Sequence, residues 1–177
     1  YQVGNHLSIL YSLRRLGFRA RVTNLDEEID VSDLILLPGV GSFPKAINRL
    51  HKLNLFNFIK SQAKEGKPIL GICLGMQLLV DSSLELGTNQ GLGLIPGVIH
   101  PIQESFCNIG WNNISVKDEN GILGKADGKE MYFNHSYSYK GPKEYIASIS
   151  DLDNTNLTIV SAIQKDNVIG LQFHPEK

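Results

Sequence analysis

Residues 71 to 75 read Gly-Ile-Cys-Leu-Gly, between the apolar segment Lys67-Pro68-Ile69-Leu70 and the run Met76-Gln77-Leu78-Leu79-Val80. The pattern predicts Cys73 at a point where a strand turns sharply into a helix, the setting of a nucleophile elbow with a thiol in place of a hydroxyl. Such a turn lifts one side chain clear of the sheet and needs small neighbours, which Gly71 and Gly75 supply. The helix N-terminus that follows favours negative charge, and so a thiolate. A lone cysteine in an apolar run is more often a small buried core residue. The flanking glycines and the far end of the chain reverse that balance.

At that end stands Gln172-Phe173-His174-Pro175-Glu176, after a strand-like run Asn167 to Leu171. In an extended chain His174 and Glu176 project to the same face, so the carboxylate can fix the tautomer and orientation of the imidazole. Alone, a His-Pro-Glu run is most simply a strand end with a solvated acid. Paired with a glycine-flanked cysteine about a hundred residues upstream it has three roles to fill: Cys73 as nucleophile, His174 as base and then acid, Glu176 as orienter. A third segment, Leu34-Ile35-Leu36-Leu37-Pro38-Gly39-Val40-Gly41-Ser42-Phe43, is a buried strand entering a Gly-x-Gly turn. Its backbone N–H groups can serve an oxyanion beside the N–H of Leu74. No Gly-Lys-Ser/Thr follows and a third glycine is missing, which argues against a phosphate loop, while a plain structural turn weighs as much as the functional reading for Gly39 and Gly41 alone.

Taken in order, Leu-Pro-Gly-Val-Gly-Ser-Phe, Gly-Ile-Cys-Leu-Gly-Met-Gln and Phe-His-Pro-Glu-Lys resemble the triad-type (class I) glutamine amidotransferases over nearly the whole chain. Tyr1-x-x-Gly4-Asn5, Gly91-Leu92-Gly93-Leu94-Ile95-x-Gly97, Gly110-Trp111-Asn112 and Tyr132-Phe133-x-His135-Ser136-Tyr137 are further matches, the last two favouring the glutaminase subunits of imidazole glycerol phosphate synthase, of histidine biosynthesis. The resemblance implies a flavodoxin-like α/β fold and hydrolysis of glutamine by Cys73, His174 and Glu176, with an oxyanion held by backbone N–H groups near Val40, Gly41 and Leu74. It implies that Gln77 and the Gly39 to Gly41 turn bind glutamine, and that Asn5, Trp111, Tyr137 and Lys177 lie toward a partner. It calls for no cofactor or metal. Trp111 and Tyr137 also fit as core aromatics and Lys177 as a solvated charge, and His135 reads as a structural histidine rather than a second base.

Free ammonia is protonated and lost in water, so a glutaminase of this kind implies a synthase partner, a separate cyclase-type chain in a heterodimer. Three departures from the family pattern, Gln2, Cys107-Asn108 and Asn134, fall in regions that the resemblance turns toward that partner, and they leave open an amidotransferase acting on another acceptor such as a surface-polysaccharide sugar. A catalytically silent binding subunit is the alternative from another class, and the intact Cys73, His174 and Glu176 speak against it. The family also has a short apolar strand before the position of Tyr1 and continues past that of Lys177, so the expectation is one domain over residues 1–177, clipped at both ends.

Composition agrees with that reading. At 177 residues and 42% hydrophobic the chain can bury a sizeable core. A net charge of −1 offers no electrostatic footprint for nucleic acid or membrane. No signal peptide or long apolar span is visible within residues 1–177, and the two cysteines there, one at the elbow, lead us to expect a reducing, cytoplasmic compartment.

The elements that must position these residues are also legible. Residues 3–16 are predicted as a helix closed by Gly17, 18–24 and 34–37 as strands, and 43–53 and 55–64 as helices, the second closed by Gly66. Alternating strands and helices predict a mostly parallel central sheet with flanking helices. The second half is strand-rich: residues 93–102, 109–116, 130–139, 145–150, 158–164 and 168–173, with Lys165-Asp166-Asn167 as a hairpin loop.

Overall fold

A computed structural model describes residues 6–103, 106–152 and 155–177. Helix α1 spans His6–Arg15 and a short α2 spans Asp26–Asp30; strand β1 (Ile35–Leu37) leads through the glycine turn into α3 (Phe43–Lys52) and α4 (Leu55–Lys64). Strand β2 (Ile69–Ile72) is followed by α5 (Leu74–Leu78), β3 (Val80–Ser83), β4 (Asn89–Gln90) and β5 (Ile95–Pro101). The remainder is strands: β6 (Asn108–Asn113), β7 (Ser115–Val116), β8 (Glu130–His135), β9 (Tyr137–Lys140), β10 (Ile146–Asp151), β11 (Thr158–Lys165) and β12 (Val168–Leu171).

Local chemistry sets the helix ends. Gly17 (φ +83°) and Gly66 (φ +92°) take the left-handed conformation just past α1 and α4. Their N–H groups donate to Arg14 and Ala63, and those of the next residues, Phe18 and Lys67, to Leu13 and Gln62. This paired pattern satisfies helix-end carbonyls and is open to glycine at little steric cost. At the other end of α3 a remote side chain does the capping, because the Glu85 carboxylate accepts the Phe43 N–H at 2.9 Å.

The central sheet has six strands in the order β1-β2-β12-β11-β10-β7. The α/β architecture with flanking helices is as expected; within it the sheet is mixed, its parallel pairs being β1 with β2 and β2 with β12. Hairpin connections pair only antiparallel, as β12 does with β11 and β11 with β10, and β7, which reaches β10 from further back in the chain, pairs antiparallel as well. A second sheet runs β4-β3-β5-β9, and β6 with β8 forms a separate antiparallel ribbon. Helices α3 and α4 bury Phe43, Leu50 and Ile59 in a cluster that includes Leu37 and Ile69. A second cluster joins the ribbon to the sheet through Phe133 and Phe173, edge to face with centroids 5.9 Å apart. Truncating either ring to alanine would cost about 3–5 kcal/mol. Among the described residues no helix is long and apolar enough to cross a membrane.

Some expectations need correcting. Residues 18–24 form no strand, although Phe18, Ala20 and Val22 alternate. A strand needs a ladder partner, and β1, at the end of the sheet order, pairs only with β2 among the described strands. The run 130–139 is two strands broken at Ser136, where the chain leaves β6 to pair with β5, and 109–116 is likewise divided at Ile114, whose side chain is fully buried. The run after the elbow is helical only to Leu78, and β3 begins at Val80. The first three residues of the predicted 3–16 helix lie outside the described residues. The hairpin expected at residues 165–167 is present, with Lys165 paired to Val168.

Candidate active site

Strand β2 ends directly beneath α5, and Cys73 is the residue between them. It holds φ 53°, ψ −110°, a conformation that costs a side-chain-bearing residue on the order of 1–3 kcal/mol. Neighbouring contacts impose it: the Cys73 N–H donates to the Leu171 carbonyl at 2.7 Å, and the Gln77 N–H donates back to the Cys73 carbonyl at 3.3 Å. The glycines are required by space. A Cβ on Gly75 would stand 1.8 Å from the Leu37 carbonyl oxygen, and one on Gly71 would stand 2.6 Å from the Gly75 carbonyl. The cysteine so presented is buried.

Parallel pairing of β12 with β2 brings Leu171 beside Ile72, so residues 172–176 pass the elbow. The His174 N–H donates to the Tyr132 carbonyl at 2.8 Å, which anchors the segment to β8. His174 Nδ1 lies 2.9 Å from Glu176 Oε1, with both side chains almost wholly buried. Burial alone would lower the pKa of His174; its interactions with Cys73 and with Glu176 outweigh burial and raise it to about 9. Burial would raise the pKa of Glu176, and the hydrogen bond from His174 outweighs it and lowers it. The pair is therefore arranged to hold a proton on the imidazole, with Nδ1 committed to the carboxylate and Nε2 left for the sulfur.

A cavity of about 250 Å³ opens over the sulfur, lined among others by Val40, Gly41, Cys73, Leu74, Gln77 and Glu85. The expected oxyanion donors are thus at one cavity, but the Leu74 N–H already donates to the Gly39 carbonyl at 3.3 Å. Gly39 packs behind them, where a Cβ would lie 2.9 Å from that of Leu74. Gln77 is buried, and its Nε2 donates to the Tyr137 carbonyl at 3.3 Å and to Gln172 Oε1 at 3.2 Å. Two polar residues here went unassigned in the sequence. Gln172, fully buried, donates through Nε2 to the Cys73 sulfur at 3.8 Å; its place two before His174 in an alternating segment was the available signal. Glu85 reaches the cavity from a loop, and no periodicity marks it.

Of the residues expected toward a partner, Asn5 lies outside the described residues, as does Gln2. Trp111 on β6 is 53% exposed and meets Tyr132 edge-on at 5.6 Å, and Tyr132 in turn faces the His174 ring at 6.3 Å. Lys177 is exposed. Tyr137 lies at the cavity wall, half-buried, its carbonyl accepting from Gln77 and from His135 Nδ1. With Nδ1 donating there, His135 Nε2 accepts from Asn108 Nδ2 at 3.1 Å, so both ring nitrogens are engaged. Burial lowers the His135 pKa to about 4 and keeps the ring neutral, as a structural histidine requires. Of the departures, Asn108 is thus buried inside the ribbon, while Cys107 and Asn134 line the cavity.

Against known proteins, residues 2–177 match the family model for class-I glutamine amidotransferases. The chain is 41% identical over 181 residues to the imidazole glycerol phosphate synthase subunit HisH of Streptococcus gordonii, covering 100% of this chain and 86% of that protein. It is 39% identical to the subunit of the same name from Listeria monocytogenes, with the same coverage. Among solved structures, that of PurLQS from Thermotoga maritima aligns with a TM-score of 0.78 at 21% identity, over 99% of this chain and 84% of that one, a likeness of fold.

Proposed function

Because the chain belongs to the class I glutamine amidotransferases, we propose that it is the glutaminase subunit of an imidazole glycerol phosphate synthase, a cytoplasmic heterodimer of histidine biosynthesis. It hydrolyses glutamine to glutamate and passes ammonia to a cyclase partner for the lyase step. The observation that carries the reading is the strained Cys73 beside a buried His174–Glu176 pair, in a chain that aligns over its whole length with 86% of a relative of that name.

The chemistry follows from the residues. Cys73 gives its proton to His174, and the thiolate attacks the side-chain amide carbon of glutamine while the carbonyl electron pair moves to oxygen. Backbone N–H groups of Val40, Gly41 and Leu74 are the candidate holders of that oxyanion, which requires the Gly39 carbonyl to release Leu74. His174 protonates the nitrogen, the C–N bond breaks and ammonia leaves a thioester. Water, deprotonated by His174, then releases glutamate. Gln77 and the Gly39 to Gly41 turn hold the substrate, and the Glu85 carboxylate supplies a counter-charge for its α-ammonium. Exposed Ile109 and Trp111 on β6 offer an apolar face beside the site for the partner.

The test pairs this chain with the cyclase subunit. Cys73→Ala is expected to abolish glutamine-dependent synthesis while leaving synthesis from added ammonia intact, because only ammonia release needs the thiol. Glutamate release that survives in purified Cys73→Ala would overturn the assignment, and loss of both activities would point to a structural role.

A further inference from the structure

Gln172 has no solvent exposure, yet it carries a primary amide whose two ends both have partners. Its Oε1 accepts from Gln77 Nε2 at 3.2 Å, and its Nε2 donates to the Cys73 sulfur at 3.8 Å. A group that has no second orientation fixes this arrangement. The Tyr137 backbone carbonyl only accepts, so Gln77 must turn its nitrogen there and toward Gln172. Gln172 must then show oxygen to Gln77, and its NH2 is left facing sulfur. The backbone cannot drift either: the Gln172 N–H is tied to the Ser161 carbonyl at 2.9 Å and the Cys73 N–H to the Leu171 carbonyl at 2.7 Å.

The thiol itself donates to the Asn134 carbonyl at 3.8 Å. Once its proton has gone to His174, that carbonyl presents the negative end of a dipole to a negative sulfur. The Gln172 amide presents the opposite end. We propose that Gln172 is a further catalytic residue, an oriented buried donor that stabilises the Cys73 sulfur as an anion; the role rests on the glutaminase reading above. It acts twice in the cycle. In the first step the S–H bond breaks, the proton passes to His174 Nε2, and the electron pair on sulfur meets the Gln172 N–H. In the last step a water-derived hydroxide adds to the thioester, the C–S bond breaks, and the departing thiolate meets the same donor. The link to Gln77 joins this donor to the cavity wall, so a residue assigned to glutamine binding also holds the amide that faces the nucleophile.

The test is made on the full-length protein carrying Cys107→Ser, with alkylation followed by mass spectrometry of the peptide that holds Cys73, so that iodoacetamide reports on that thiol. Gln172→Met keeps length and removes both hydrogen bonds; Gln172→Glu places a carboxylate against the sulfur. For Gln172→Met the pH midpoint of alkylation is expected to move up by about one unit, and kcat/KM for glutamine at pH 7 in the partner complex to fall roughly tenfold, the value of one hydrogen bond to a charged group. Gln172→Glu is expected to move the midpoint further in the same direction, and it carries the test alone if the methionine variant does not fold. An unmoved alkylation profile in a folded variant, with or without loss of activity, overturns the proposal and leaves Gln172 a packing residue. Failure of the parent reading looks different: Cys73→Ser would then leave glutamate release intact in the background protein.

Discussion

Replacing Glu176 by glutamine preserves the shape of the orienting side chain and removes its charge, so it isolates what the carboxylate contributes to His174. In the native site a 2.9 Å hydrogen bond joins two side chains that are almost wholly buried, and the histidine pKa stands near 9. A hydrogen bond to a charged group is worth about 1.5–3 kcal/mol and a neutral one about 0.5–1.5, so a glutamine oxygen in the same place forfeits roughly 1–1.5 kcal/mol of support for the imidazolium. At about 1.4 kcal/mol per pH unit, the His174 pKa should fall from about 9 to roughly 8. His174 must carry a proton to deliver it to the leaving nitrogen, so the alkaline limb of kcat/KM reports this group directly. The expected result, from glutamate release in the partner complex measured across pH, is an alkaline limb displaced about one unit downward. Activity at pH 7 should also drop, because the amide can turn its NH2 toward Nδ1 and impose the wrong tautomer. His174→Ala should be far less active than Glu176→Gln. An alkaline limb that stays in place in Glu176→Gln, while His174→Ala is inactive, would refute the argument that Glu176 sustains the imidazolium.

Three further outcomes follow from the same geometry. The stability contributed by protonated His174 is full below pH about 6.5 and is lost as pH rises through about 9, so the difference in unfolding temperature between wild type and Glu176→Gln should narrow across that range; a constant gap in calorimetry would contradict it. Because the Leu74 N–H is held by the Gly39 carbonyl, the chain alone should release glutamate slowly, and binding of partner and acceptor should raise the rate by on the order of a hundredfold, the worth of one oxyanion donor; full turnover without partner would count against it. Gly75→Ala, whose Cβ would stand 1.8 Å from the Leu37 carbonyl oxygen, should destabilise the protein by more than about 2 kcal/mol, and an unchanged denaturant midpoint would show that the packing of α5 against the end of β1 is looser than described.

The parts of this protein that were legible in its sequence are those where one local rule decides the outcome. Helix α4 runs over Leu55–Lys64 as its apolar spacing and Gly66 predict, and the elbow glycines announced a crossing too tight for a Cβ. Residues 18–24 failed as a strand because alternation describes a strand's faces and says nothing of whether a neighbour exists to complete its ladder. The break at Ser136 was hidden for a related reason: the residue types of β8 and β9 are continuous, and only their partners, β6 and β5, differ. In the site, the thiol, imidazole and carboxylate were readable because their roles demand particular residue types. Glu85 was not, since it arrives from the loop between β3 and β4, and neither was the engagement of Leu74 with Gly39, which is a matter of one peptide's direction.

Trp111 is the single tryptophan in the chain. It stands half out in solvent on β6, edge-on to Tyr132, whose ring faces His174. An indole therefore stands on the outer surface, two ring contacts away from the proton-carrying histidine. Within residues 1–177 all tryptophan emission originates at that spot, so its wavelength registers whether water or another chain lies over β6. The same residue thus turns an ordinary titration cuvette into a local probe of occupancy beside the catalytic histidine, with no label attached.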